Sequence, residues 1–205
     1  MSNNDGPKNF AFTLKLRVLS MVPARFDPLL PPDLDPRPKI FGIGFHKTGT
    51  TSLGRALRQL GYRIQKGFSI NKTGKRVTIP EPVTLEKIGA VAFPMVRFYG
   101  AFEDNPWPLL FKDADRMFPG SKFILTVRDP DNWIRSAANH FGERTTPYLD
   151  LIHGKPGFCI AGNKEEAVAR YLRHNEDVKS HFSGRTEDLL VWDIEADPRW
   201  AFSGA

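Results

Sequence analysis

Lys47, Thr48, Thr50, Thr51 and Ser52 stand almost side by side in this chain, with Gly44 before them and Gly49 among them. An ammonium, four hydroxyls and a glycine-bent run of backbone amides suit one task above others, the holding of an anion, most often a phosphate. The flanks agree. Ile40 to Phe45 is apolar and strand-like, Leu53, Ala56, Leu57 and Leu60 recur at helical spacing, and Gly61 stands where a helix would stop. The expected unit is strand, loop, helix, with a helix N-terminus aimed at the anion. His46 lies inside the loop and is expected to orient it rather than to act as a base.

Other elements must carry the rest of the site. Met1 to Asn9 reads as a polar tail. Phe10 to Val22 is apolar but broken by Lys15 and Arg17, which fits an extra strand or short helix, or a segment lying on a membrane or partner. Prolines 23, 28, 31, 32, 36 and 38 make an extended connector, so residues 1–38 are expected to precede a domain spanning 39–205. Tyr62 to Gln65 reads as a second strand and Gly67 to Pro80 as a hairpin-like excursion, with Lys72, Lys75 and Arg76 at an exposed turn. A helix is expected over Glu81 to Met95, a short strand over Arg97 to Phe102, and a helix over Trp107 to Met117. Phe123 to Val127 has the nearly continuous apolar character of a central parallel strand. Pro130 opens a helix carrying Ile134, Ala137, Ala138 and Phe141. Gly142 to Asn163 reads as irregular, Glu165 to Phe182 as a long amphipathic helix, and Asp188 to Asp193 as a last strand. Strands alternating with helices predict an α/β domain with a parallel sheet.

Composition narrows the function. The 29 basic and 23 acidic residues leave a charge of +6, compatible with an anionic ligand, but no basic block interleaved with aromatics argues for nucleic acid. One cysteine, Cys159, excludes an intramolecular disulfide and a cysteine-built metal site. No HExxH pair is present, and no metal is expected. No apolar run approaches the roughly 20 residues of a spanning helix, and no signal peptide is evident. A reducing, cytoplasmic setting is the expectation.

The loop departs from the triphosphatase fingerprint G-x-x-x-x-G-K-[ST]. Gly44, Gly49 and Thr51 hold three of its positions, but Thr50 stands where the lysine belongs and the lysine is Lys47. No carboxylate suited to holding Mg²⁺ ends a later strand, as a kinase or ATPase needs. Phe45-His-Lys-Thr-Gly-Thr-Thr-Ser-Leu53 instead resembles the 5′-phosphosulfate loop of sulfotransferases, typically [PQ]-K-[ST]-G-T-T-x-L. A second motif fits the same family, whose 3′-phosphate site is a strand ending in Arg followed by a helical Ser eight residues on. Leu125-Thr-Val-Arg-Asp-Pro-Asp-Asn-Trp-Ile-Arg-Ser136 supplies Arg128 and Ser136. An arginine fork grips a phosphate bidentately and a helical hydroxyl fixes its other side. The competing reading pairs Arg128 with Asp131 and leaves Ser136 on the surface.

The resemblance implies a three-layer fold like that of P-loop nucleotide hydrolases, with a central, mostly parallel sheet. It implies a donor, 3′-phosphoadenosine 5′-phosphosulfate (PAPS), and a product, adenosine 3′,5′-bisphosphate (PAP). The acceptor would be a hydroxyl or amine on a small molecule, glycan or lipid. Lys47 would contact the leaving oxygen, while Thr50, Thr51 and Ser52, with the amides of His46, Lys47, Thr48 and Gly49, would hold the 5′-phosphate. Where many cytosolic members carry a histidine base, this chain has Asp104, with Glu103 beside it, so these two carboxylates are the candidate bases. Asp104 would equally suit a cap on the helix at Trp107. His140 and His174 are less favoured alternatives for the base, expected instead on helix surfaces. Trp107, Phe98, Tyr99 and Phe102 either line an acceptor pocket or belong to the core. Members of the family usually run on well past the last strand, and the basic Arg-Lys-Gly segment that closes over the cofactor in the cytosolic branch has no counterpart. Two rivals remain, a Mg-dependent P-loop kinase of a small metabolite and a non-catalytic nucleotide-binding module.

Overall fold

The computed structural model describes residues 37–68, 79–193 and 195–196. Five short strands, β1 (Ile40–Gly42), β2 (Ile64–Lys66), β3 (Ala101–Glu103), β4 (Lys122–Val127) and β5 (Leu189–Asp193), form one sheet in the order β2-β3-β1-β4-β5. Every pairing is parallel. Six α-helices stand among the described residues, in chain order α1 (Thr50–Gln59), α2 (Leu85–Ala92), α3 (Trp107–Met117), α4 (Pro130–Phe141), α5 (Pro147–His153) and α6 (Lys164–His181).

Successive strand residues face opposite sides of a sheet, and here each side has its own helices. Ile40, Ala101, Ile124 and Trp192 meet Leu53, Ala56 and Leu57 of α1. Phe41, Phe102, Phe123 and Leu125 meet Ile88 and Ala92 of α2, Leu110, Phe111 and Ala114 of α3, and Val178 of α6. Parallel register sets Phe41 level with both Phe102 and Phe123. Their rings stack across three strands, with centroids 4.7 and 5.5 Å apart. Burying each such side chain contributes roughly 1.5–3 kcal/mol. A third cluster, around Phe45, Trp133, Leu149, Ile152 and Tyr171, joins α4, α5 and α6 to the loop after β1. The result is the α/β arrangement with a parallel sheet expected from the alternation of elements, in the three layers that the family resemblance implies.

The winding reverses at β1. From β1 the chain moves outward to β2, returns to β3, then passes to the far side for β4 and β5. In open α/β sheets the crevice outside the strand C-termini at such a reversal is where ligands bind. The segments after β1, β3 and β4 are those with the anion loop, Asp104 and Arg128.

Several boundaries differ from expectation. The helix expected over 81–95 is α2, capped by the Thr84 hydroxyl accepting from the Lys87 amide at 3.3 Å, and it tightens into a 3₁₀ turn at Phe93–Phe98. That turn takes up Arg97 and Phe98, so β3 is shorter than the strand expected there. The segment 142–163 is not wholly irregular, because it contains α5. Thr146 caps α5 by accepting from the Leu149 amide, Pro147 opens it, and Gly154 ends it at φ 67°. The excursion's tip at 69–78 and the chain before Arg37 lie outside the described residues. Arg37, at the end of the proline-rich connector, donates to the carbonyls of Leu60 and Gly61 at 3.2 Å each and lies 4.0 Å over the Tyr62 ring. Arg37 is thereby tied to the end of α1.

Candidate active site

The loop from Ile43 to Gly49 is fastened from behind by its carbonyls. His174 Nε2 donates to Ile43 O at 2.8 Å, Thr48 Oγ1 to Phe45 O at 2.6 Å, and Trp133 Nε1 to His46 O at 2.9 Å. With the Thr48 proton so used, Thr126 Oγ1 on β4 must donate to Thr48 Oγ1, 2.6 Å away. Gly44 lets the loop lie against that strand, since a Cβ there would stand 2.1 Å from Thr126 Oγ1. Lys47 and Gly49 both take left-handed backbone, φ 66° and 96°. For lysine this conformation costs about 1–2 kcal/mol. Carbonyls turned inward and left-handed residues at the bend leave the amides facing outward as an anion nest. Gly49 caps α1 with no side-chain hydrogen bond, and the first turn carries no acidic residue. The Thr50 and Thr51 amides, lacking intrahelical acceptors, complete the cradle.

A cavity of about 630 Å³ opens over this loop. Lys47, Gly49, Thr50 and Thr51 line it from one side, Arg128 from the junction of β4 and α4, Ser136 from the middle of α4, and Asp104 from just after β3. Its size falls within the roughly 300–1,000 Å³ of small-molecule sites. Three of the expected residues contribute otherwise. Ser52 is not on the cavity wall, and the Thr48 hydroxyl is committed to Phe45 and Thr126, which leaves its amide for the cradle. Glu103 shares the α1 side of β3 with Ala101. A Cβ on Gly54 of α1 would stand 2.3 Å from Glu103 Oε2, which is buried without a hydrogen-bond partner. Burial, then Asp104, raise its pKa, against the pull of Arg58 at 4.0 Å, of Lys66 and of the Gly54 backbone.

Asp104 faces the cavity from a left-handed residue, φ 67°. Its Oδ1 accepts from the Asn105 amide at 2.8 Å. The cap position of α3 is Pro106, with no side-chain cap, so the carboxylate does not serve that helix. Burial raises its pKa, opposed by the Asn105 amide, His140 and Lys47. His46 also borders the cavity, largely buried, with neither ring nitrogen bonded. Burial, then the charges of His153, His140 and Lys47, lower its pKa to about 3, so it is neutral.

Two wall residues matter more than their sequence context indicates. His140 lies one turn beyond Ser136 on α4 and borders the cavity. Its pKa is lowered by partial burial, Lys47 and Arg144, against Asp104. The i, i+4 spacing from Ser136 was the available signal. Tyr148 of α5 presents a hydroxyl buried without a partner, beside Phe68, Phe141 and Leu149. Burial and the charge of Asp104 raise its pKa, keeping it protonated. His174, in contrast, is not on a surface. It is 2 % exposed, stacks on Phe45 at 4.1 Å, and is held neutral by a pKa lowered to about 4, chiefly through burial. Trp107 and Phe102 belong to the core and Phe98 is exposed; neither they nor Tyr99 reach the cavity.

Arg128 pairs not with Asp131 but with Glu195, Nε to Oε1 at 2.8 Å. A family model described as a sulfotransferase domain matches residues 39–155, more than half of the chain. The chain belongs to the sulfotransferase domain family. It is therefore a transferase whose chemistry is sulfuryl transfer, and its α/β fold accords with that family. The matched segment includes Lys47, Asp104, Arg128, Ser136, His140 and Tyr148, and stops before α6, β5 and Glu195. No curated protein matches the chain in sequence. Among the described residues no helix is long and apolar enough to cross a membrane.

Proposed function

We propose that this sulfotransferase moves a sulfuryl group from PAPS to a hydroxyl or amine on a small-molecule, glycan or lipid acceptor. The observation that carries the proposal is that Lys47, Gly49, Thr50 and Thr51 line the same cavity as Arg128 and Ser136, two groups each suited to an anion. A donor phosphorylated at both 3′ and 5′ positions fits such a pair, and a triphosphate does not use the second station. The donor supplies an activated sulfuryl group. Thr50 and Thr51, with the loop amides, hold the 5′-phosphate, and Arg128 with Ser136 holds the 3′-phosphate. As the bond from sulfur to the bridging oxygen breaks, Lys47 neutralises the charge gathering on that oxygen, and PAP is left. The new bond joins sulfur to the acceptor oxygen or nitrogen, whose proton passes to a base on the wall. Asp104 is assigned that base. Its raised pKa makes it a stronger base than an ordinary carboxylate. His140, neutral and on the same wall, is the second candidate. The single Cys159 suits a reducing, cytoplasmic setting.

Calorimetry tests the donor. Tight binding of PAP without Mg²⁺ is expected, whereas a preference for Mg-ATP would move the protein to the kinase class. Labelled sulfate transfer onto lipid, glycan, peptide and phenol pools then identifies the acceptor.

A further inference from the structure

Arg128 is gripped from outside the cavity it lines. Its Nε donates to Glu195 Oε1 at 2.8 Å, while Glu195 Oε2 accepts from Asn132 Nδ2 at 2.9 Å and from the Asp129 amide at 3.3 Å. Against the penalty of partial burial, the bonds from Asn132 and Arg128 hold the Glu195 carboxyl below its usual range, so it is ionised at neutral pH. The turn that carries it is set by Asp193, whose Oδ1 accepts from the amides of Glu195 and Ala196 at 2.9 and 3.3 Å. Asp193 pairs with Val127, the residue before Arg128, in the β4–β5 register. Glu195 is thus anchored to the strand beside the one that leads into Arg128.

A guanidinium carries five N–H donors in a rigid plane. Glu195 takes the one on Nε, and the two Nη groups have no hydrogen-bond partner among the described residues. The outer fork is the part that fits two phosphate oxygens. We infer that Glu195 is a positioning residue that holds Arg128 by its Nε so that the Nη fork meets the 3′-phosphate, and so sets the preference for a 3′-phosphorylated nucleotide. The inference rests on the donor reading above. Glu195 lies beyond the segment matched by the family model.

The opposite possibility has a clear physical basis. A carboxylate that receives a guanidinium and a helix-start amide could itself occupy the anion's place, and its charge opposes a phosphate. The two cases predict opposite signs. Calorimetry on the full chain compares PAP with adenosine 5′-monophosphate, which lacks only the 3′-phosphate. Glu195→Ala is expected to weaken PAP about tenfold and leave the monophosphate unchanged, the latter serving as the control for folding. A tenfold change corresponds to roughly 1.4 kcal/mol, the scale of one charge-assisted bond. Glu195→Gln, which keeps an oxygen for Nε, is expected to recover most of the preference. In an Arg128→Gln background, Glu195→Ala should change nothing further. Unchanged or tighter PAP binding by Glu195→Ala overturns the inference while leaving the donor reading intact. A wild-type protein that does not prefer PAP to the monophosphate removes the donor reading and this inference with it.

Discussion

Tyr171 and Arg128 are bonded twice: the Tyr171 hydroxyl accepts from the Arg128 amide at 2.8 Å and donates to the Arg128 carbonyl at 2.9 Å. Its ring stacks on Trp133 at 4.4 Å, and Trp133 in turn holds the His46 carbonyl. One side chain on α6 therefore connects the backbone at the end of β4 with the anion loop. Tyr171→Phe leaves both Arg128 backbone groups without this partner. The expected cost is about 1–3 kcal/mol, read as a fall in thermal midpoint of roughly 2–4 °C per kcal/mol for a chain of this size. PAP affinity should fall with it.

Lys47 makes no side-chain hydrogen bond among the described residues and borders the cavity from its left-handed position. Lys47→Ala should lower transfer by about 10²–10³-fold, the range seen when one donor to a developing charge is removed. Loss of the left-handed lysine leaves folding nearly unchanged, since alanine meets a similar backbone penalty. A rate assay beside a denaturant curve separates the two effects. Near-normal turnover would remove Lys47 from the chemistry.

Three substitutions sort the candidate bases. If Asp104 takes the proton, Asp104→Asn lowers kcat/KM about 10²–10⁴-fold and abolishes the fall in rate at acid pH, while His140→Gln keeps that limb. The reverse pattern assigns the role to His140. Glu103→Gln should leave the profile unaltered, because Glu103 faces α1 rather than the cavity.

The same carboxyls carry a stability signature. A carboxyl whose folded pKa is raised binds its proton more tightly in the native state, so stability falls as pH rises from the unfolded value through the folded one. Asp104 and Glu103 are both raised, from 3.8 and 4.5. At neutral pH, Asp104→Asn and Glu103→Gln should each increase the denaturant midpoint. Asparagine also tolerates left-handed backbone well. Unchanged or lower midpoints would contradict the assignment of burial as the cause.

Two buried histidines act in the opposite direction at acid pH. His46 and His174 have folded pKa values lowered from 6.5 to about 3 and about 4. The native state holds fewer protons than the unfolded chain, so their contribution is complete above 6.5 and is lost as pH falls toward those values. The denaturant midpoint should drop steeply below about pH 6. His46→Gln, with the residue often found at that position of the motif, should flatten the decline.

The strand-loop-helix unit around Lys47 was legible because everything that defines it is local. Glycines, hydroxyls and a displaced lysine lie within a few residues, and the helical stripe follows at once. Arg128 and Ser136 were legible for the same reason, on a strand-to-helix junction opened by Pro130. Glu195 and Tyr171 were not, because nothing near them in sequence marks a partner more than 40 residues away. α5 escaped notice among glycines and prolines, although Thr146, Pro147 and Gly154 are a cap, an opener and a stop in order. His174 was misjudged because its helix neighbours are charged. The buried stripe of α6 runs Ala167, Tyr171, His174, Asn175 and Val178, and burial on that stripe is decided by the loop packed against it.

The cavity wall has two kinds of foundation. Asp104 and Arg128 directly follow strand ends, and Lys47 lies on the loop after β1, so all three rest on a sheet braced by the phenylalanine stack, where any shift would disturb the whole. Phe68, Tyr148 and Leu149 belong to a strand exit and a seven-residue helix outside the sheet. Drift in sequence on that outer wall can reshape half of the chamber while the other half stays as it is. The scaffold thus leaves one side of its chamber open to revision without unsettling the sheet that supports the other.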